Sequence, residues 1–214
     1  MKYGKQRIYD LPSNDITWLG IYAAQLEAEA AARGEVLPPS VRLQIGEPSF
    51  RTPEHIRLAA IRSIESEPLT YGPALGWPWL RELLADKVKR INGYSVDPAN
   101  IAVTLGGTGA LEVALTATVG EGDEVLVSDP CWSLYSMQLA ACGAIPIRYP
   151  LDPSNEWLPD IASLDKLVTP RTRLLLINTP CNPTGAVYPA HIVSALLDFA
   201  RKHDLYVLSD ECYD

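Results

Sequence analysis

RLLLINTPCNPTG (Arg173 to Gly185) and LYVLSDECYD (Leu205 to Asp214) decide the fold. Each opens as a short apolar run rich in Leu, Ile and Val and breaks into polar residues at its carboxyl end. That is the pattern of a buried parallel strand that delivers side chains to a ligand. Between them, Ala190 to His203 carries Ile192, Leu196 and Phe199 at i, i+4 and i+7, the stripe of a helix laid on a sheet. The order strand, helix, strand predicts an α/β fold with an open parallel sheet. Asn182, Asp210 and Tyr213 then fall along one rim of that sheet, where open α/β sheets bind ligands.

Upstream, IAVTLGGTGALEVALTA (Ile101 to Ala117) reads as five strand-like residues, a turn at Gly106, Gly107, Thr108 and Gly109, and the start of a helix. A glycine turn that opens a helix exposes unpaired N–H groups and the positive end of the helix dipole, which together suit an anion. The dipole is worth roughly 0.3–1 kcal/mol, up to about 2 when partly buried. Direct hydrogen bonds from the N–H groups and the Thr108 hydroxyl must therefore supply much of the grip on a phosphate. The turn lacks the Gly-Lys-Ser/Thr ending of a Walker loop and the GxGxxG of a dinucleotide fold, which argues against a nicotinamide-dependent Rossmann enzyme.

The 214 residues suffice for one large domain with a smaller partner, and 47% hydrophobic content permits a sizeable core. A net charge of -8 without a Lys/Arg run argues against a nucleic-acid surface. The cysteines at 131, 142, 181 and 212 have no metal-ligand spacing and suggest reduced thiols in a cytoplasmic protein. No stretch has the apolar length of a signal peptide or a membrane span. His55, His191 and His203 are scattered on helix-like segments, so a structural role is expected for each and no metal site.

NPTG followed by a strand ending in SDECY resembles the paired signature of the class I/II aminotransferases, fold-type I enzymes that use pyridoxal 5'-phosphate, which implies a three-layer α/β/α fold around a mostly parallel sheet. The resemblance implies that Asp210 pairs with the pyridine nitrogen, and that Asn182 and Tyr213 bond the ring's phenolic oxygen. A carboxylate at contact raises the pKa of a base and favours the protonated ring, whereas Asp210 read alone is a solvated acid at a strand end. The glycine turn fits the family's phosphate cup, with Gly107 and Thr108 at the contact positions. Trp132, just after Asp129-Pro130, matches the aromatic residue stacked on the cofactor, a contact worth on the order of 0.5–1.5 kcal/mol beyond area burial; its local sequence is equally that of a core tryptophan at a helix start.

Two earlier segments extend the likeness. VRLQIGEPSF (Val41 to Phe50) reads as a short strand running into a Gly-Glu-Pro turn and resembles the family's GEPDF, with Ser49 in place of the usual Asp. Gly46 takes the position whose backbone N–H lies near the substrate carboxylate, and the substrate-binding set implied by the family is Gly46, Trp132 and Asn182. A turn glycine is the plain alternative. Tyr71, Gly72, Gly76, Pro78, Leu80 and Arg81 match the Tyr-Gly and Gly-x-Pro-x-Leu-Arg pattern, and Pro78 suits the first turn of a helix reaching about Asn92. In the family the tyrosine reaches the phosphate of the partner subunit, so Tyr71 implies a homodimer; on sequence alone it is a packed loop aromatic.

Ile16 to Arg33 reads as a helix after an N-cap at Asn14 or Asp15, and its apolar content invites packing. The expected division is an N-terminal helix and arm over 1–45, part of a small domain, and the cofactor-binding large domain from 46 to 214. Glu124 to Leu151 alternates strand, helix and strand, and Ile161 to Val168 forms a short helix. An open sheet ending on a site-bearing strand with no covering helix is incomplete. The family places the Schiff-base lysine a few dozen residues past its DE-x-Y motif, and Lys2, Lys5, Lys87, Lys89, Lys166 and Lys202 match none of that context. The chain thus reads as the N-terminal half of an aminotransferase, a fragment truncated before that lysine and not expected to turn over alone.

The implied activity is transfer of an amino group from an amino acid to a 2-keto acid. A lyase or decarboxylase on the same scaffold is the alternative, since these segments handle the cofactor more than the outcome. A non-catalytic effector-binding domain of a transcription regulator would need a DNA-binding segment ahead of the homology, for which about fourteen residues before the first helix are too few.

Overall fold

The computed structural model describes residues 15–66, 68 and 70–213. Asn14, Lys2 and Lys5, the first fourteen residues of the expected arm, and the terminal Asp214 lie outside the described residues.

Among the described residues, the strands β1 (Glu124–Asp129), β2 (Ile145–Asp152), β3 (Leu158–Pro159), β4 (Thr172–Asn178) and β5 (Tyr206–Asp210) form one sheet in the order β3-β2-β1-β4-β5. β1 pairs in parallel with β2 and β4, β5 pairs in parallel with β4, and the two-residue β3 is antiparallel to β2. The helices are α1 (Asp15–Ala32), α2 (Glu54–Ser66), α3 (Pro78–Lys87), α4 (Gly106–Thr118), α5 (Leu134–Cys142), α6 (Ile161–Leu164) and α7 (Ala190–Lys202).

Side chains alternate across a strand with period two, and here both faces are apolar. Val125 and Val127 of β1, with Leu174 and Leu176 of β4, pack on Leu111 and Leu115 of α4 and on Tyr135 and Leu139 of α5. Leu126, Leu175 and Ile177 turn the other way, onto Leu164 of α6 and Leu196 and Phe199 of α7. Burial on both faces is why these strands read as unbroken apolar runs. Leu126 is fully buried, and truncating such a residue to Ala costs about 2–5 kcal/mol.

The helix ends follow from local chemistry. Pro78 opens α3, where a missing N–H is no loss, and a π-turn over Val88–Asn92 carries the coil to the expected end before Gly93. Gly143, at φ 83°, closes α5 in the left-handed conformation that an L side chain resists.

Two expected strands do not form. Val41 to Ile45 and Ile101 to Leu105 have strand-like composition but no ladder partner, and a strand is stabilised by its neighbours rather than by propensity. Val41, Leu43 and Ile45 are exposed, while the second segment joins a neighbour through the Val103 N–H to Leu75 O bond of 3.0 Å. The short helix expected over 161–168 divides into α6 and a 3-10 turn at Asp165–Leu167. α1 packs less than its composition suggests: Ala30 is buried, whereas Trp18, Ile21 and Tyr22 are exposed, the two rings stacked at 5.0 Å.

At the amino end of β1 the Glu124 carboxylate is buried and accepts hydrogen bonds from the Thr169 hydroxyl at 2.6 Å, from Thr172 at 3.3 Å and from Arg171. The Thr169 bond first, then Arg171, holds its pKa below the ordinary 4.5, against the opposing effect of burial. A depressed pKa means that its stabilising contribution is complete above the unfolded value and is lost as pH falls through the folded one. Urea midpoints should therefore show Glu124→Gln less stable than wild type near neutrality, with the gap closing below pH 4.5; a gap constant into acid would contradict this.

Candidate active site

The parallel register of β4 and β5 sets Asn178 beside Asp210 at the carboxyl ends of the two strands. Asn178 is 3% exposed, and a side-chain amide so buried requires partners. It has them on both sides. Nδ2 donates to the Asp210 carbonyl at 3.0 Å and Oδ1 accepts from the Asn182 N–H at 2.8 Å. The loop after β4 is thereby fixed to the tip of β5, and Asn182 Nδ2 reaches the Tyr213 hydroxyl at 3.2 Å.

The Asp210 carboxylate is held from two directions. Tyr135 of α5 donates its hydroxyl to Oδ2 at 2.5 Å, and the Cys212 N–H donates to Oδ1 at 3.1 Å. Burial first, then the bond to Asp210 and its charge, push the Tyr135 phenol far above its ordinary range, so it remains a donor at every working pH. Trp132 meets the Tyr135 ring edge-on at 5.4 Å and 82°, an arrangement favoured by the ring quadrupoles.

The first turn of α4 lines the same cleft. Gly106 enters it at φ 70°, and Leu105, at the cap position, offers no side-chain acceptor. The Gly106 N–H bonds the Thr104 carbonyl at 2.9 Å, so the N–H groups left for a ligand are those that follow it, at Gly107 and Thr108, with the helix dipole behind them. A Cβ built on Gly107 meets no protein atom within 4 Å. The space in front of it is open cleft, which any side chain there would fill.

This cleft has a volume of about 180 Å³ and is lined by Gly107, Thr108, Trp132, Asn182, Asp210 and Tyr213, together with Leu111, Tyr135, Asn178 and Cys212. Through Gly107, Leu111, Asp210 and Cys212 it joins a wider hollow of about 450 Å³. Its lining brings together the N–H groups of a helix start, a carboxylate, and the apolar surfaces of Leu111 and Trp132. A flat ring with an anionic tail matches that layout.

Six of the eight residues expected from sequence are brought together. The other two are not: Gly46 lies on an exposed irregular stretch and Tyr71 is fully exposed. None of the described lysines lines the cleft. Sequence reasoning missed Tyr135 and Asn178. Tyr135 stands three residues after Trp132, across the turn that leads into α5, where its N–H bonds the Trp132 carbonyl at 3.2 Å, and Asn178 is the polar residue that ends the apolar run of β4, so both signals were present.

The family model described as aminotransferase class I and II matches residues 38–214. An aspartate/prephenate aminotransferase of Thermus thermophilus is 42% identical over 174 residues, 81% of this chain and 45% of that protein. An aromatic-amino-acid aminotransferase of Thermococcus litoralis is 39% identical over 175 residues, with the same coverage of both chains. Among solved structures, aspartate aminotransferase from Thermus thermophilus with maleate superposes with a TM-score of 0.87 at 37% identity, over 98% of this chain and 53% of that one. Alanine aminotransferase from Pyrococcus furiosus gives 0.90 at 31% identity, over 99% and 52%. The chain spans about half the length of the curated relatives it matches.

Asn178→Ala leaves the Asp210 carbonyl and the Asn182 N–H without these partners. A loss of about 1–3 kcal/mol in unfolding free energy is expected, read from urea denaturation; an unchanged midpoint would show that the clamp contributes nothing.

Proposed function

We propose, because the chain belongs to the class I and II aminotransferase family, that the whole protein is a pyridoxal-phosphate-dependent enzyme moving an amino group from an amino acid to a 2-keto acid. The observation behind this reading is that the α4 N-terminus and the Asp210 carboxylate open onto one cleft. The bound cofactor would supply an aldehyde carbon that accepts the amino group and a protonated ring that withdraws electrons from the substrate Cα.

This chain's residues would do the rest. Asp210 sits against the ring nitrogen and raises its pKa, since a negative charge at contact stabilises the protonated base. Tyr135 and the Cys212 N–H keep that carboxylate aimed, which lowers the reorganisation required when charge develops. Asn182 and Tyr213, already bonded to each other, offer an amide and a hydroxyl to the phenolic oxygen, and Trp132 covers the ring face. The N–H groups at Gly107 and Thr108, with the Thr108 hydroxyl, hold the phosphate. Gly107 is suited to this because the ligand occupies the space its Cβ would take.

Gly46 would approach the substrate carboxylate, and the exposed Tyr71 would serve a second subunit's phosphate, making the working unit a homodimer. The remaining organisation proposed is a small-domain arm over 1–45, a large domain from 46, and a cytoplasmic location. No described helix is long and apolar enough to cross a membrane. The names of the relatives motivate aspartate, prephenate and aromatic amino acids as the first substrates to test.

In the whole protein, Asp210→Ala should lower amino transfer to 2-keto acids by at least about a hundredfold while the fold is retained by circular dichroism. Unchanged activity would remove Asp210 from this role. Free ammonia with no amino group passed to the added 2-keto acid would identify a lyase, and release of carbon dioxide with an amine a decarboxylase.

A further inference from the structure

Gln138 is more than nine-tenths buried on α5, and its Nε2 donates to the Thr108 carbonyl at 3.0 Å. Its Oε1 is also buried and has no hydrogen-bond partner. A half-satisfied buried amide costs stability, and a methionine or leucine of similar volume would fill the same space without that cost. The position of its bond suggests what is gained. Thr108 lies in the first turn of α4, which no capping side chain holds. The turn is instead tied from its carbonyl side to α5, and its N–H side is left facing the cleft.

Gln138 stands one helical turn from Tyr135, so residues i and i+3 of one helix reach the two ends of the cleft. Tyr135 bonds the Asp210 carboxylate and Gln138 bonds the anion-binding turn. A rigid helix with one hand on each wall fixes the distance between them.

Building on the function proposed above, we propose that Gln138 is a positioning residue for the anion end of the cleft, acting through the Thr108 backbone on the N–H groups that receive the cofactor's phosphate. Its loss should be felt by ligands with the phosphate and not by those without it.

The test compares pyridoxal 5'-phosphate with pyridoxal, which keeps the ring and lacks the phosphate, by absorbance or fluorescence titration of the whole protein. Gln138→Met conserves volume and removes the donor; it should raise the dissociation constant for the phosphorylated form roughly threefold to tenfold and leave that for pyridoxal within about twofold. Gln138→Glu keeps the shape but sets a negative charge near the anion, and should weaken the phosphorylated form further. Equal weakening of both ligands by Gln138→Met would show a general structural role and overturn the inference. A wild-type preference for the phosphorylated form that survives the substitution intact overturns it alone. A wild-type protein that binds the two forms equally removes the anion site, and with it both this inference and the function on which it rests.

Discussion

The hydrogen bond from the Tyr135 hydroxyl to the Asp210 carboxylate joins residues 75 positions apart in sequence and sets the geometry of the site. It unites a helix that packs on β1 with the tip of β5, two strands away. Without it the carboxylate would be an acid at the end of an edge strand, free to turn toward water. With it, and with the Cys212 N–H on the second oxygen, the charge points into the cleft.

That bond depends on packing some way off. Tyr135 is fully buried, in a cluster with Leu111, Val127 and Leu176, so α5 cannot move without disturbing the core. On the other side, Asn178 uses its donor and its acceptor to fix β5 and the Asn182 loop in one register. The site thus inherits its rigidity from the two-faced burial of β1 and β4. A preorganised carboxylate of this kind is what stabilisation of developing charge requires, because little reorganisation remains to be done when the charge appears.

Much of this was legible in the sequence because the signals were redundant. The runs at Glu124, Arg173 and Leu205 are apolar, of strand length and bounded by turn residues, and they became β1, β4 and β5. Asn182, Asp210, Tyr213, Gly107 and Thr108 stand at the ends of elements, where an α/β sheet displays them. What failed was local composition without a partner. Val41 to Ile45 and Ile101 to Leu105 have the residues of strands but no neighbouring strand to bond, and pairing is a long-range property that no short window reports. Tyr135 and Asn178 were overlooked because each reads locally as a packing residue; their function lies in contacts 75 and 32 positions away. For Gly46 and Tyr71 the sequence pattern and this structure differ in what they display, since neither residue lines the cleft.

On the function proposed above, Asp210 would keep the cofactor's pyridine nitrogen protonated, an electrostatic role. It is tested most directly by nitrogen NMR of pyridoxal 5'-phosphate labelled at the ring nitrogen and bound to the whole protein, with and without Asp210→Asn. The account predicts a protonated-ring chemical shift in the wild-type complex, persisting to higher pH than in the free cofactor, and its collapse in the variant. An unprotonated ring nitrogen in the wild-type complex at neutral pH, or a shift indifferent to the substitution, would contradict it.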